Sequence, residues 1–226
     1  MHEAKPLNPA EGTQRDKYYE TFADTAFSRV TYVRQLLVLW FIVAPLYCTL
    51  NFWPRFLNRQ RIPSRGQSYM VVANHISLSD PPLITTLLNR PVAFMAKREL
   101  FLNPIVARIL RFLGAFQVNR DKPSRHTLKT AFNVLRTDSG WVLGMFPEGT
   151  RQKDADKTGQ LQDLKSGYTV FATKTQKPVL PVGIYRDSAH GGRYTLNVGH
   201  LITDVSDAQA LHQAVESQLT DLLAGH

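Results

Sequence analysis

His75 and Asp80 stand five positions apart in the stretch Tyr69-Met-Val-Val-Ala-Asn-His75-Ile-Ser-Leu-Ser-Asp80-Pro-Pro82. An imidazole beside a carboxylate can act as a general base. The carboxylate holds one ring nitrogen and so fixes the tautomer, and the other nitrogen takes a proton. Within one helix, positions five apart lie about 140° apart and do not meet; a loop that folds back lets them. The flanks fit such a loop. Four apolar or aromatic residues before it suit a buried strand. Asp80 followed by Pro81 suits a helix start, with the carboxylate capping free N–H groups and proline at the first helical position. The spacing by itself also fits a plain helix cap beside a plain loop histidine.

Other chemistry-bearing residues follow other strands. Lys97 and Arg98 come after the apolar stretch Pro91–Ala96, Arg120 after Ala115–Asn119, and Glu148-Gly149-Thr150-Arg151 after Trp141–Phe146. Helical patterns separate them: one through about Leu88, one over Ile105–Leu113, and one with Leu128, Ala131, Phe132 and Leu135 on a face. Lys165–Thr175 also looks helical, Val179–Tyr185 and Tyr194–Gly199 are further strands, and Ser206 with Gln209 forms a capping box for a last helix. Strands alternating with helices predict an α/β fold, a mostly parallel or mixed sheet flanked by helices. The C-terminal ends of parallel strands share one edge, so these side chains can converge there. Cations around a base–carboxylate pair suit a phosphorylated substrate whose hydroxyl must lose a proton. Gly149 allows close backbone approach, and Arg151 can grip a phosphate in bidentate fashion.

The N-terminal quarter has a different character. Residues 1–16 are polar and are expected to be mobile. Tyr19, Phe22, Ala23, Ala26, Phe27, Val30 and Val33 recur at helical steps. From Gln35 to Pro54 no residue is charged, and Leu36–Ala44 is continuously apolar. As a helix this run would be about 30 Å long, enough to cross a bilayer. Pro45 would kink it, Trp40, Tyr47 and Trp53 suit a membrane interface, and arginines flank both ends (Arg29 and Arg34; Arg55, Arg59 and Arg61). Basic flanks on both sides favour a monotopic or re-entrant helical pair returning to one anionic face, over a single span or a buried core helix. The expected division is a mobile 1–16, a membrane-associated 17–61 and an α/β domain 62–226.

The formal net charge of +9 calls for a polyanionic neighbour. Nucleic acid fits poorly, because the cations gather at strand ends and beside the apolar run instead of along an aromatic-interleaved helix. The lone Cys48 allows no internal disulfide and suggests no zinc cluster. The apolar run begins too late for a signal peptide, which points to the cytoplasmic side.

Taken in order, Asn74-His75-x4-Asp80, Gly114-x-Phe116-x-x-x-Arg120, Phe146-Pro-Glu-Gly-Thr-Arg151 and Leu180-Pro181-Val182-Gly183-Ile184 resemble the four blocks of the glycerolipid acyltransferases. The chain is similar, over roughly residues 65–186, to the 1-acyl-sn-glycerol-3-phosphate acyltransferases. The second block departs: the family often has Ile-Asp-Arg where this chain has Val118-Asn119-Arg120, one charge fewer near the acceptor. The resemblance implies transfer of a fatty acyl group from a thioester, on coenzyme A or acyl carrier protein, to the free hydroxyl of a lysophospholipid, giving phosphatidic acid. It implies His75 as general base, oriented by Asp80. Arg120, Glu148, Gly149, Thr150 and Arg151 would bind the acceptor, Lys97 would be a second phosphate ligand, and Pro181 would shape the acyl-donor side. It also implies an N-terminal helical pair docked on an anionic membrane surface. A thioester is already activated, so the expected chemistry calls for no metal and no cofactor beyond the co-substrate. Three alternatives remain: glycerol 3-phosphate, another lysophospholipid or a non-glycerolipid alcohol as acceptor, a catalytically silent membrane lipid-binding protein, and a nucleic-acid binder.

Overall fold

The computed structural model describes residues 29–38, 40–41, 45, 54–118, 125–136, 140–149 and 161–224. The expected helical face at 17–28, most of the apolar run after Val38, and Asn119, Arg120, Thr150 and Arg151 lie outside them. The described elements run in chain order as α1 (Arg29–Val38), β1 (Arg55–Leu57), β2 (Met70–Ala73), α2 (Asp80–Leu88), β3 (Val92–Lys97), α3 (Pro104–Phe112), β4 (Phe116–Val118), α4 (Arg125–Arg136), β5 (Val142–Met145), α5 (Gly167–Thr175), β6 (Val179–Asp187), β7 (Arg193–Val198) and α6 (Ala208–Ala224). A short 3₁₀ turn, Arg98–Phe101, links β3 to α3.

The strands form one seven-stranded sheet in the order β1-β7-β6-β2-β5-β3-β4. From β6 to β4 all neighbours are parallel, with Met70 opposite Leu143 and Val179. β7 returns antiparallel to β6, and β1 lies parallel to β7. The α/β class with a mixed sheet agrees with the alternation of patterns. Central β2 is buried at every position, as a strand covered on both faces must be.

The period-two alternation of strands divides the core. Met70, Val72, Leu143 and Val179 face Ala131, Val134 and Leu135 of α4, Phe171 of α5, and Leu211, Val215 and Leu219 of α6. Tyr69, Val71, Val142, Leu180 and Val182 face Leu83, Ile84 and Leu87 of α2 on the opposite side. The chain leaving β2 therefore passes to one face and the chain leaving adjacent β5 to the other. The crevice between two such strand ends is the usual ligand site of open α/β sheets.

Three expectations change. Arg55–Leu57, expected within the membrane-associated 17–61, form β1 and pair with β7, so the sheet includes residues before 62. Arg55 anchors there: its Nη1 lies 2.6 Å from Asp187 Oδ2 and 2.7 Å from His190 Nδ1. Desolvation pushes the Asp187 carboxyl up, but His190 and Arg55 outweigh it and hold it below its ordinary range. Secondly, the last helix is capped by Asp207, which accepts from Gln209 N and Ala210 N, while Ser206 bonds Asp204. A carboxylate one residue nearer the first free N–H groups wins that place. Thirdly, Asp80 does not cap α2.

Candidate active site

The loop 74–79 joins the C-terminal end of β2 to α2. Asp80 is the first residue of α2, and Pro81 and Pro82 follow it. Proline has no N–H, so two of the donors that a helix start leaves free are missing here, and Leu83 N is met by Ser79 O at 3.0 Å. The Asp80 carboxylate is thereby released to face backwards. Its Oδ2 accepts from Ile76 N and Ser77 N, each at 2.8 Å, and lies 2.7 Å from His75 Nδ1. Asp80 is fully buried, whereas the His75 side chain stays 15% exposed. One oxygen thus shapes the loop and orients the ring. With Nδ1 donating to the carboxylate, Nε2 carries the lone pair, and it has no hydrogen-bond partner among the described residues.

Two further anchors hold the loop. The Asn74 amide spans to β6: Nδ2 donates to Ile184 O, and Oδ1 accepts from Ile184 N, both at 2.7 Å. Glu148, buried in the loop after β5, accepts from the His75 backbone N–H at 3.1 Å. Glu148 is therefore within the constellation, bonded to the backbone of His75 itself.

The ring itself is clamped. Phe146 stacks on His75 with centroids 4.2 Å apart and planes 18° apart, and Phe94 stacks on Phe146 at 5.4 Å. Gly144 makes room for this row, since a Cβ there would come within 2.4 Å of the Phe94 ring. Gly144→Ala should destabilise the fold by about 1–3 kcal/mol and displace the imidazole. A melting curve paired with a turnover measurement checks this, and an unaltered pair would mean that Phe94 yields without moving Phe146.

Phe146 also walls an apolar cavity of about 250 Å³ on the α4/α5 side of the sheet, lined by Met95, Leu128, Met145, Tyr168 and Phe171. Burial, aided by Glu216, drives the Tyr168 hydroxyl up, so it stays protonated beside His212 Nδ1 at 3.0 Å. Gly149 and Lys165 are at the rim. Gly149 has φ +76, a left-handed conformation that suits glycine, and a Cβ there would lie 3.5 Å from the Lys165 ammonium nitrogen.

Of the residues singled out from sequence, His75, Asp80, Glu148 and Gly149 meet at the ends of β2 and β5. Lys97 ends β3 on the same edge, but it is exposed and lies 3.8 Å from Glu99. Pro181 is buried within β6, opposite Val72, one residue before the end of β2. Arg120, Thr150 and Arg151 are outside the described residues. Sequence reasoning missed the jobs of Asn74 and Phe146. Asn74 carried a signal as a polar residue ending an apolar strand, and Phe146 as the residue that opens the Phe-Pro-Glu-Gly-Thr-Arg block.

Comparison with known proteins agrees with this geometry. The Acyltransferase family model matches residues 54–185, more than half of the chain. A 1-acyl-sn-glycerol-3-phosphate acyltransferase of Streptococcus pneumoniae is 30% identical over 188 residues, which cover 80% of this chain and 65% of that protein. The protein of the same name from Bacillus subtilis is 27% identical over 158 residues, covering 70% and 73%. The crystal structure of the 1-acyl-sn-glycerophosphate (LPA) acyltransferase PlsC from Thermotoga maritima has the same fold, with a TM-score of 0.64 at 23% identity over 97% of this chain and 99% of that one. With His75 and Asp80 set at the switch point of the sheet, the chain belongs to the acyltransferase family.

Proposed function

We propose that this chain transfers a fatty acyl group from an acyl thioester to the free hydroxyl of 1-acyl-sn-glycerol 3-phosphate, giving phosphatidic acid. The observation that carries the reading is the His75 imidazole, held through Nδ1 by buried Asp80 with Nε2 left to work. Nε2 takes the hydroxyl proton as the oxygen attacks the thioester carbonyl. The tetrahedral intermediate collapses, the C–S bond breaks, and the imidazolium returns the proton to the departing thiolate. A secondary alcohol is a poor nucleophile at neutral pH, and a positioned base contributes about 10²–10⁴-fold. The reaction needs no cofactor beyond the thioester co-substrate.

The acceptor reading is supported by the names of the relatives and by the cationic residues of the strand-end loops. In this reading Arg151 and Lys97 meet the phosphate, Arg120, Glu148, Gly149 and Thr150 bind the rest of the acceptor, and Glu148 also holds the loop that bears His75. Pro181 shapes the donor side from within the sheet. The apolar cavity behind Phe146 offers room for part of a fatty chain. The enzyme works at the cytoplasmic face of an anionic membrane, held by its N-terminal segment in monotopic or re-entrant fashion. Among the described residues no helix is long and apolar enough to cross a membrane.

The test offers lysophosphatidate to the detergent-solubilised chain with labelled acyl-coenzyme A and acyl carrier protein in parallel. Phosphatidate is expected from at least one donor, which also identifies the donor. No phosphatidate from either, with turnover of another acceptor, would overturn the assignment and make Asn119 the first residue to exchange for aspartate.

A further inference from the structure

Helix α3 is built the wrong way round for a helix that packs on a soluble protein. Ala107 is its one buried residue. Leu102, Ile105 and Ile109 recur at helical steps and are 73%, 71% and 52% exposed, with Phe112 and Leu113 continuing the stripe. Soluble monomers rarely leave so contiguous an apolar strip uncovered. From Lys97 to Leu113 there are four cations, Lys97, Arg98, Arg108 and Arg111, against the single acid Glu99. An apolar face with basic flanks is the signature of a helix lying in a membrane interface.

One neighbour extends the strip, and a separate exposed leucine stands at the strand ends. At its C-terminal end α3 meets α1: the Gln35 amide donates to Phe112 O, and the Arg34 guanidinium sits 5.1 Å over the Phe112 ring. Helix α1 carries exposed Val33 and Leu37, and Trp40 and Phe41 follow it, also exposed. At the catalytic edge, Leu78 is 71% exposed inside the His75–Asp80 loop itself.

We propose that α3 is a membrane-docking surface of the catalytic domain in its own right, seated in the interface of an anionic bilayer. The excess of cations selects this occupant. A second copy of the chain would bring the same positive charges face to face, whereas anionic headgroups neutralise them while Ile105 and Ile109 enter the acyl boundary. Docking on α3 brings the Leu78 loop, and with it His75, toward the lipid surface. The usefulness of that placement rests on the proposed lipid acceptor, but the docking is tested without turnover.

The test compares the full chain with the Ile105→Asp/Ile109→Asp double variant by co-sedimentation with phosphatidylcholine vesicles, with and without phosphatidylglycerol. The expected result is a loss of vesicle affinity of roughly tenfold or more, with melting temperature and oligomeric state unchanged. Arg108→Glu should weaken binding only where phosphatidylglycerol is present. Unchanged binding by the double variant would overturn the proposal. So would a lowered melting temperature or an altered oligomeric state, because α3 would then be covered by the chain's own residues or by a second copy. Vesicle binding that needs α3 in a chain that acylates no lysophospholipid would sink the proposed reaction and leave the docking surface standing.

Discussion

Replacing His75 by alanine should lower acyl transfer by about 10²–10⁴-fold, while the melting temperature moves by only a few degrees. The imidazole supplies the proton acceptor, yet its described contributions to the fold are one stack on Phe146 and one hydrogen bond. Asp80→Ala should behave differently. Asp80 Oδ2 serves two backbone N–H groups as well as the ring, so its loss should reduce both turnover and stability. Charge-assisted hydrogen bonds of this kind are worth about 1.5–3 kcal/mol. Initial rates with saturating donor and acceptor, set beside thermal melts, separate the two cases. A His75→Ala enzyme within threefold of the parent would remove the imidazole from the chemistry.

The largest stability effect is expected far from the base, at Arg90. This side chain is 1% exposed, and its described hydrogen bonds run to backbone carbonyls: Nε and Nη2 to Gly140 O, and Nη1 to Ser64 O and Gln67 O. It also lies 5.2 Å over the Tyr69 ring, at the start of β2. The guanidinium fork ties the connection before β2 to the turn before β5 at the end of the sheet opposite His75. Arg90→Ala removes charged donors and opens a cavity, at a cost of about 3 kcal/mol, or on the order of 6–12 °C in melting temperature for a chain of this size. Arg90→Lys should recover only a fraction, because an ammonium cannot reproduce the planar fork. A melting temperature unchanged in Arg90→Ala would show that water replaces the guanidinium without loss.

The catalytic loop was legible in sequence because its determinants are local. Strand, polar turn, aspartate and prolines lie within fourteen residues, from Tyr69 to Pro82, and the strand–helix alternation sets the sheet class. What local pattern could not show is which donor each acceptor chooses. Asp80 looked like a helix cap because that is what aspartate before proline usually does. Only the second proline, by deleting another N–H, turns the carboxylate toward His75. Arg55–Leu57 escaped notice because a three-residue edge strand has no periodicity to read, and its identity comes from pairing with β7, far away in the chain. The bond from Glu148 to the His75 backbone, 73 positions distant, has no counterpart in sequence spacing. Asn74 is similar, with the partner strand still to come.

That last bond sets a condition on the order in which the protein comes into being. Asn74 is tied to Ile184 across 110 positions, and β2 finds its two neighbours only when β5 and β6 exist. Such distant pairings form late in folding, after the chain entropy between them has been overcome. Chains grow from the N-terminus during synthesis, so the apolar N-terminal segment leaves the ribosome long before the loop bearing His75 has anything to lean on. A nascent chain stopped short of β6 carries His75 and Asp80 within one short stretch, without the Ile184 backbone to which Asn74 pins their loop. In the proposed reading, attachment to a bilayer can therefore begin during translation, whereas a competent base awaits a nearly finished polypeptide.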